Sequence, residues 1–171
     1  FPVKINVPYA QVVSATDGKV LHSFLSKDEK WRMEVQLNEV SPQLLKAIVN
    51  KEDKYFYYHF GVNPFAICRA AYNNTIYHRK TSGASTITMQ VARLLYPDDR
   101  TYLNKLIESF RALQLEWKFS KSEILALYLN LVPYGGNIEG VKAASVFYFD
   151  KLPKQLSLSE CVSLSIIPNR P

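Results

Sequence analysis

Residues Ser41–Gly61 read SPQLLKAIVNKEDKYFYYHFG, and the reading of this stretch decides what the rest of the chain is built around. Ser41 followed by Pro42 is a helix start, because a serine hydroxyl accepts an orphan amide proton and proline tolerates the first helical position. Leu44, Leu45, Ile48 and Val49 then recur at helical spacing and define one buried face. Glu52 falls four residues after Ile48 and continues that face. Two readings stay open for it. Either the carboxylate ends the helix in solvent, or it is paired or desolvated on the apolar face, which is how a fold prepares a general acid or base. Asp53 projects to another side, and the aromatic run Tyr55, Phe56, Tyr57, Tyr58 with His59 would wall such a site.

Working outward toward the start, residues 11–40 read as strands. In QVVSATDGKVLHSF, Asp17-Gly18 separates two β-rich runs, a strong hairpin signal. The alternation in WRMEVQL predicts a third strand of the same small sheet.

Toward the end the chain is helical. Asn63-Pro64 predicts a short helix through Phe65, Ile67, Cys68 and Ala71 that fails from Asn73. A polar, basic loop with His78, Arg79 and Lys80 follows. In GASTITMQVARLL, Ser85 or Thr86 can cap a helix whose apolar face is Ile87, Val91, Leu94 and Leu95. Free amides at such a glycine-preceded start attract a phosphate, although serine and threonine there are more often only caps. Gln90 shares the apolar face, so its amide must find a buried partner.

Residues 101–118 form a long amphipathic pattern that predicts Leu103, Leu106, Ile107, Phe110, Leu113 and Trp117 on the core side, with Lys105 and Glu108 three apart on another face. Ser120-Lys121-Ser122-Glu123 and Ser157-Leu158-Ser159-Glu160 are capping boxes. Between them Pro133-Tyr134-Gly135-Gly136-Asn137 breaks one helix, and GVKAASVFYF, with small Ala143 and Ala144, begins the next.

Length and composition bound the class. A chain of 171 residues, 47% hydrophobic, suits one globular domain with a substantial core. The formal charge of +6 favours an acidic partner such as phosphate, anionic lipid or nucleic acid, without choosing among them. Cys68 and Cys161 read as small core residues. No apolar run approaches a membrane span. The chain opens at Phe1, so we read it as an excised piece of a longer protein.

Five segments in order carry a family resemblance. Glu52-Asp53-x-x-Phe56-x-x-His59-x-Gly61 resembles the first motif of the family 51 peptidoglycan glycosyltransferases, the glycosyltransferase domains of class A penicillin-binding proteins. Gly83-Ala84-Ser85-Thr86-Ile87-Thr88-Met89-Gln90 resembles the second. Asn104-Lys105-x-x-Glu108 resembles the third, which commonly reads Arg-Lys-x-x-Glu, so one expected cation is absent at Asn104. EILALYLNLV and GVKAASVFYF resemble the fourth and fifth. GASTITMQVARLL, RALQLEW and YGGNIEGVKAAS look nearest the 1C branch of the family.

The resemblance implies a mainly α, lysozyme-like domain over residues 1–171, with a small N-terminal β region (1–40) and a helical catalytic region (41–171). It implies polymerisation of lipid II into β-1,4 glycan strands with inversion and release of undecaprenyl pyrophosphate, on the periplasmic side of the inner membrane. Glu52 would be the base. Glu108 would be a second catalytic acidic residue, and Asp53, Phe56, His59, Ser85, Thr86, Gln90 and Lys105 would contact substrate. Lipid II, the growing glycan, the membrane surface and moenomycin-type inhibitors are the implied partners, and nucleic acid is not. Some members use a divalent cation, but no ligand cluster here demands one. The competing readings are a lysozyme-like glycoside hydrolase or lytic transglycosylase, with Glu52 as an acid, and a non-enzymatic basic module binding membrane or nucleic acid.

Overall fold

The structure is a computed structural model that describes residues 5–16, 20–77, 85–99 and 101–169. It is mainly helical. Strands β1 (Val12–Ser14) and β2 (Val20–Ser23) form an antiparallel hairpin; its Asp17-Gly18 turn lies outside the described residues, as do His78, Arg79, Lys80, Gly83 and Ala84.

The third strand departs from expectation. Only Trp31–Arg32 is extended as β3, and it leaves the hairpin to pair in parallel with β5 (Ile138–Glu139), which also pairs with β4 (Pro133–Gly135). Side chains explain the choice. The Arg32 guanidinium, buried, bonds Glu139 and the carbonyl of Pro8 (2.6 Å) and pairs with Asp28 (2.9 Å). Trp31 packs on Phe147, with ring centroids 5.3 Å apart.

Helix α1 (Pro42–Glu52) is capped by Ser41, whose Oγ accepts from the Leu44 amide. Leu44, Ile48 and Val49 are buried as the spacing requires. Helix α2 (Pro64–Tyr77) starts from Asn63, whose side chain accepts from the Ala66 amide. It does not fail at Asn73. Asparagine and threonine each cost a helix only tenths of a kcal/mol, and the helix runs on to Tyr77. Cys68 on it is exposed, contrary to the core reading, whereas Cys161 is buried.

Helices α3 (Ile87–Leu95), α4 (Tyr102–Lys118), α5 (Lys121–Leu131), α6 (Val141–Phe149) and α7 (Leu158–Ile166) complete the domain. Thr86 caps α3, Thr101 caps α4, and both capping boxes form, at Ser120 with Glu123 and at Ser157 with Glu160. α3 packs against α4 and α5, and α1 against α7. Asn130 of α5 accepts from the Val35 amide and donates to its carbonyl, both at 2.9 Å, so the segment after β3 is pinned by a side chain in place of a neighbouring strand.

α4 is inverted relative to expectation. Ala112 and Leu115 are buried, and Lys105 and Glu108 lie on that inward side, while Leu103, Leu106, Phe110 and Trp117 are exposed, Trp117 by 87%. Phe65 (88%), Ile67 and Tyr72 of α2 are exposed as well. An apolar surface of this extent marks a membrane or a partner. Among the described residues, no helix is long and apolar enough to cross a membrane.

Candidate active site

α1 ends at Glu52 because Asp53 leaves helical geometry (φ −158°) while its amide still bonds the Val49 carbonyl at 2.9 Å. The turn sends the two carboxylates different ways. Asp53 is buried, and its Oδ2 accepts from the Ile87 amide at 3.1 Å and meets His59 Nε2 at 2.9 Å. His59 Nδ1 is also buried and has no hydrogen-bond partner among the described residues. Thr86 Oγ1 accepts from the Met89 amide and donates to the Gly61 carbonyl at 2.6 Å.

At the start of α3 the Ile87 and Met89 amides are thus taken by Asp53 and Thr86, and Thr86 is the cap. A carboxylate at a helix N-terminus is favourable, and here Asp53 already takes that position.

A second set of contacts fastens the loop after α1. Lys121 Nζ donates to the His59 carbonyl and to Glu116, both at 2.6 Å, and Glu116 also accepts from Thr88. The Lys121 ammonium stands 4.6 Å from the centroid of Phe56, which is fully buried beneath the loop. Gly61 closes the loop at φ +74°, and a Cβ there would meet the Ala112 carbonyl oxygen at 2.9 Å.

Above this floor lies a cleft of about 1190 Å³ lined by Glu52, Tyr55, Tyr58, Arg69 and Ser85, among others. Glu52 Oε2 accepts from Gln90 Nε2 at 2.9 Å, which gives the buried amide of α3 its partner. Ser85 Oγ accepts from Lys105 Nζ at 2.8 Å, and the same ammonium pairs with Glu108 at 2.7 Å. The pair is thus an i, i+3 contact turned into the protein, with the Glu108 side chain 11% exposed. A carboxylate in position to take a proton and a cation beside a hydroxyl at one cleft suit displacement of an anionic leaving group. Asn104 turns away, its amide donating to the Asp99 carbonyl at 2.9 Å.

A family model of transglycosylases matches residues 17–171. The chain belongs to the transglycosylase family. It is a peptidoglycan glycosyltransferase domain of the class A penicillin-binding protein kind. It is 49% identical over 162 residues to penicillin-binding protein 1C of Escherichia coli K12, covering 95% of this chain and 21% of that protein. It is 38% identical over 170 residues to penicillin-binding protein 1A of the same strain (99% and 19%). It is 39% identical over 168 residues to penicillin-binding protein 2D of Bacillus subtilis 168 (98% and 24%). The chain thus spans about a fifth of the length of the curated relatives it matches.

In this transglycosylase domain, Glu52 and Ser85 line the cleft, with Gln90 bonded to the first and the Lys105–Glu108 pair to the second. Asp53, His59 and Thr86 also border it, but with the polar contacts just described engaged inside the protein; Phe56 lies below. Two groups of cations escaped the sequence reading. Lys51, Lys54 and Arg69 line the cleft, and Arg93, on α3 one turn after Gln90, acts electrostatically on Tyr128. An arginine within otherwise apolar helical patterns was the signal for Arg69 and Arg93. Among the described residues, no group of three or more His, Cys, Asp or Glu could hold a metal ion.

Proposed function

We propose that this domain polymerises lipid II into β-1,4 glycan strands, with inversion at the anomeric carbon and release of undecaprenyl pyrophosphate. The observation that carries the reading is the meeting, at one cleft, of Glu52 held by Gln90 and of Ser85 held by the Lys105–Glu108 pair. Glu52 takes the proton of the acceptor 4-hydroxyl as its oxygen attacks the donor anomeric carbon from the face opposite the leaving group. The bond from that carbon to the pyrophosphate oxygen breaks, and the pyrophosphate departs against Lys105, with Lys54 and Arg69 adding positive potential. Glu108 aims the Lys105 ammonium and touches no reacting atom.

The exposed apolar residues of α2 and α4 support a seat on the lipid surface that carries the substrate, on the periplasmic side of the inner membrane. Moenomycin-type inhibitors would compete for the same cleft.

The test is polymerisation of lipid II in detergent by the wild type and by Glu52→Gln. Loss of a general base lowers the rate by roughly 10²–10⁴-fold, with the variant still folded. Equal polymerisation by both proteins would show that Glu52 is not the base. Cleavage of finished glycan in place of chain growth would point to the hydrolase reading.

A further inference from the structure

The proposed reaction brings two pyrophosphates to one cleft. The donor loses its own, but the acceptor reacts through its 4-hydroxyl and keeps its pyrophosphate, still tied to a carrier lipid. Two such anions repel each other in a confined space unless each meets its own cation. Lys105 answers for one only, because its ammonium already pairs with Glu108 at 2.7 Å.

A second set of cations lines the same cleft. Lys54, on the turn that follows α1, and Arg69, on α2, border it together with Glu52. Both are exposed, and among the described residues neither pairs with a carboxylate. Arginine presents a planar fork of N–H donors that suits phosphate oxygens. Four residues before Arg69, and so on the same side of α2, Phe65 also lines the cleft and is 88% exposed. A guanidinium in the cleft with a bare aromatic ring one turn away matches an anion that continues into a hydrocarbon chain. α4 repeats the combination, with Lys105 bonded to Ser85 at the cleft and Leu106 and Phe110 outside. Cation and apolar surface thus occur together twice, on two helices that meet one cleft.

We propose that Lys54 and Arg69 form a second pyrophosphate seat, which holds the acceptor lipid II by the pyrophosphate it keeps, with its carrier chain passing over Phe65, while Lys105 faces the pyrophosphate that leaves. No bond is made or broken at this seat. It holds the acceptor so that its 4-hydroxyl reaches Glu52, and the potential that the two cations lend to the leaving group is a by-product of their place in the cleft. The inference rests on the polymerisation reading.

The experiment measures a single coupling in detergent. The donor is lipid II whose 4-hydroxyl is blocked as the methyl ether, so that it cannot accept. Two acceptors share a free 4-hydroxyl and the same prenyl chain. In one the chain is joined through a pyrophosphate whose anomeric oxygen is replaced by carbon, so that it cannot leave; in the other it is joined through a neutral ether. Lys54→Ala, Arg69→Ala and the double variant are compared with wild type. The double variant is expected to raise the KM of the pyrophosphate acceptor roughly tenfold or more. The KM of the ether acceptor and that of the donor should stay within about twofold, and the melting temperature should not move, since both residues are exposed. An equal rise for both acceptors, or a rise for the donor in place of the acceptor, would overturn the proposal. So would a wild type that takes the two acceptors equally well. If wild type couples neither acceptor, it is the polymerisation reading that fails, and calorimetric titration of both acceptors into wild type and the double variant still decides the seat. A preference of about tenfold for the pyrophosphate that the double variant lacks upholds it, and equal binding by the two proteins sinks it.

Discussion

Gln90 Nε2 donates to Glu52 Oε2 at 2.9 Å, joining the first turn of α3 to the last turn of α1. The bond fixes which way the carboxylate points and keeps a donor on its charged form. Removing it by Gln90→Ala forfeits a hydrogen bond to a charged group, about 1.5–3 kcal/mol. If that is felt wholly at the transition state, polymerisation falls about 10- to 100-fold. Gln90→Glu sets two carboxylates against each other and is expected to do worse, with the acid limb of the pH–rate profile moved upward. Lipid II turnover across pH by the two variants checks both.

Asp53 stabilises by joining elements. Asp53→Ala strips the Ile87 amide and His59 of their shared acceptor inside the protein, and should destabilise by on the order of 2–4 kcal/mol. At about 2–4 °C per kcal/mol for a chain of this size, the shift is easily read in a thermal melt.

Gly61→Ala meets two obstacles at once. The positive φ strains an L residue, and the new methyl group would press on the Ala112 carbonyl and on Glu116 Cγ at 3.1 Å. A loss of about 1–3 kcal/mol is expected. Because Glu116 also holds Thr88 and Lys121, denaturant unfolding should be accompanied by lower polymerisation in the folded fraction.

The Glu160 carboxyl is held at about 2 by the Lys151 ammonium, with the Ser157 amide and hydroxyl adding to it. Since its pKa in the folded state lies below that in the unfolded chain, its contribution is complete above the ordinary carboxylate range. It is lost as pH falls from there through about 2. Glu160→Gln should flatten this part of the stability profile while leaving polymerisation at neutral pH unchanged, as acid titration by circular dichroism would show.

Phe110→Ser and Trp117→Ser remove exposed apolar groups from α4. Their folding stability should change by no more than about 0.5 kcal/mol. Their partition into anionic vesicles should drop roughly 10- to 100-fold, if each ring buries about 1.5–3 kcal/mol of apolar surface in lipid. Co-sedimentation with vesicles measures it.

The helices and their starts were legible because capping is local: Ser41, Asn63, Ser120 and Ser157 each act on an amide within three residues. The convergence of Glu52, Gln90, Ser85 and Lys105 was legible only through motif order, since no spacing reveals that α1, α3 and α4 meet. Three features stayed hidden for physical reasons. A helical stripe declares that Leu106, Phe110 and Trp117 share a side, but not whether protein, lipid or water covers it. The partner of Arg32 lies 107 residues away at Glu139, beyond any local pattern. And the Ile87 amide, one of those that could greet a phosphate, is taken by Asp53, whose inward turn at the end of α1 no local pattern announces.

α4 presents Lys105 and Glu108 to the protein interior and Leu106 and Phe110 to the outside. A helix with its side chains is about 10 Å across, so the ammonium and the oily ridge are separated by a fixed and small height. If the ridge rests on a bilayer, a pyrophosphate meets Lys105 at the depth of the lipid headgroups. The carrier lipid then never has to be drawn out of the membrane for its sugar to react, and tilting the domain would mistune catalysis without altering a single contact inside it.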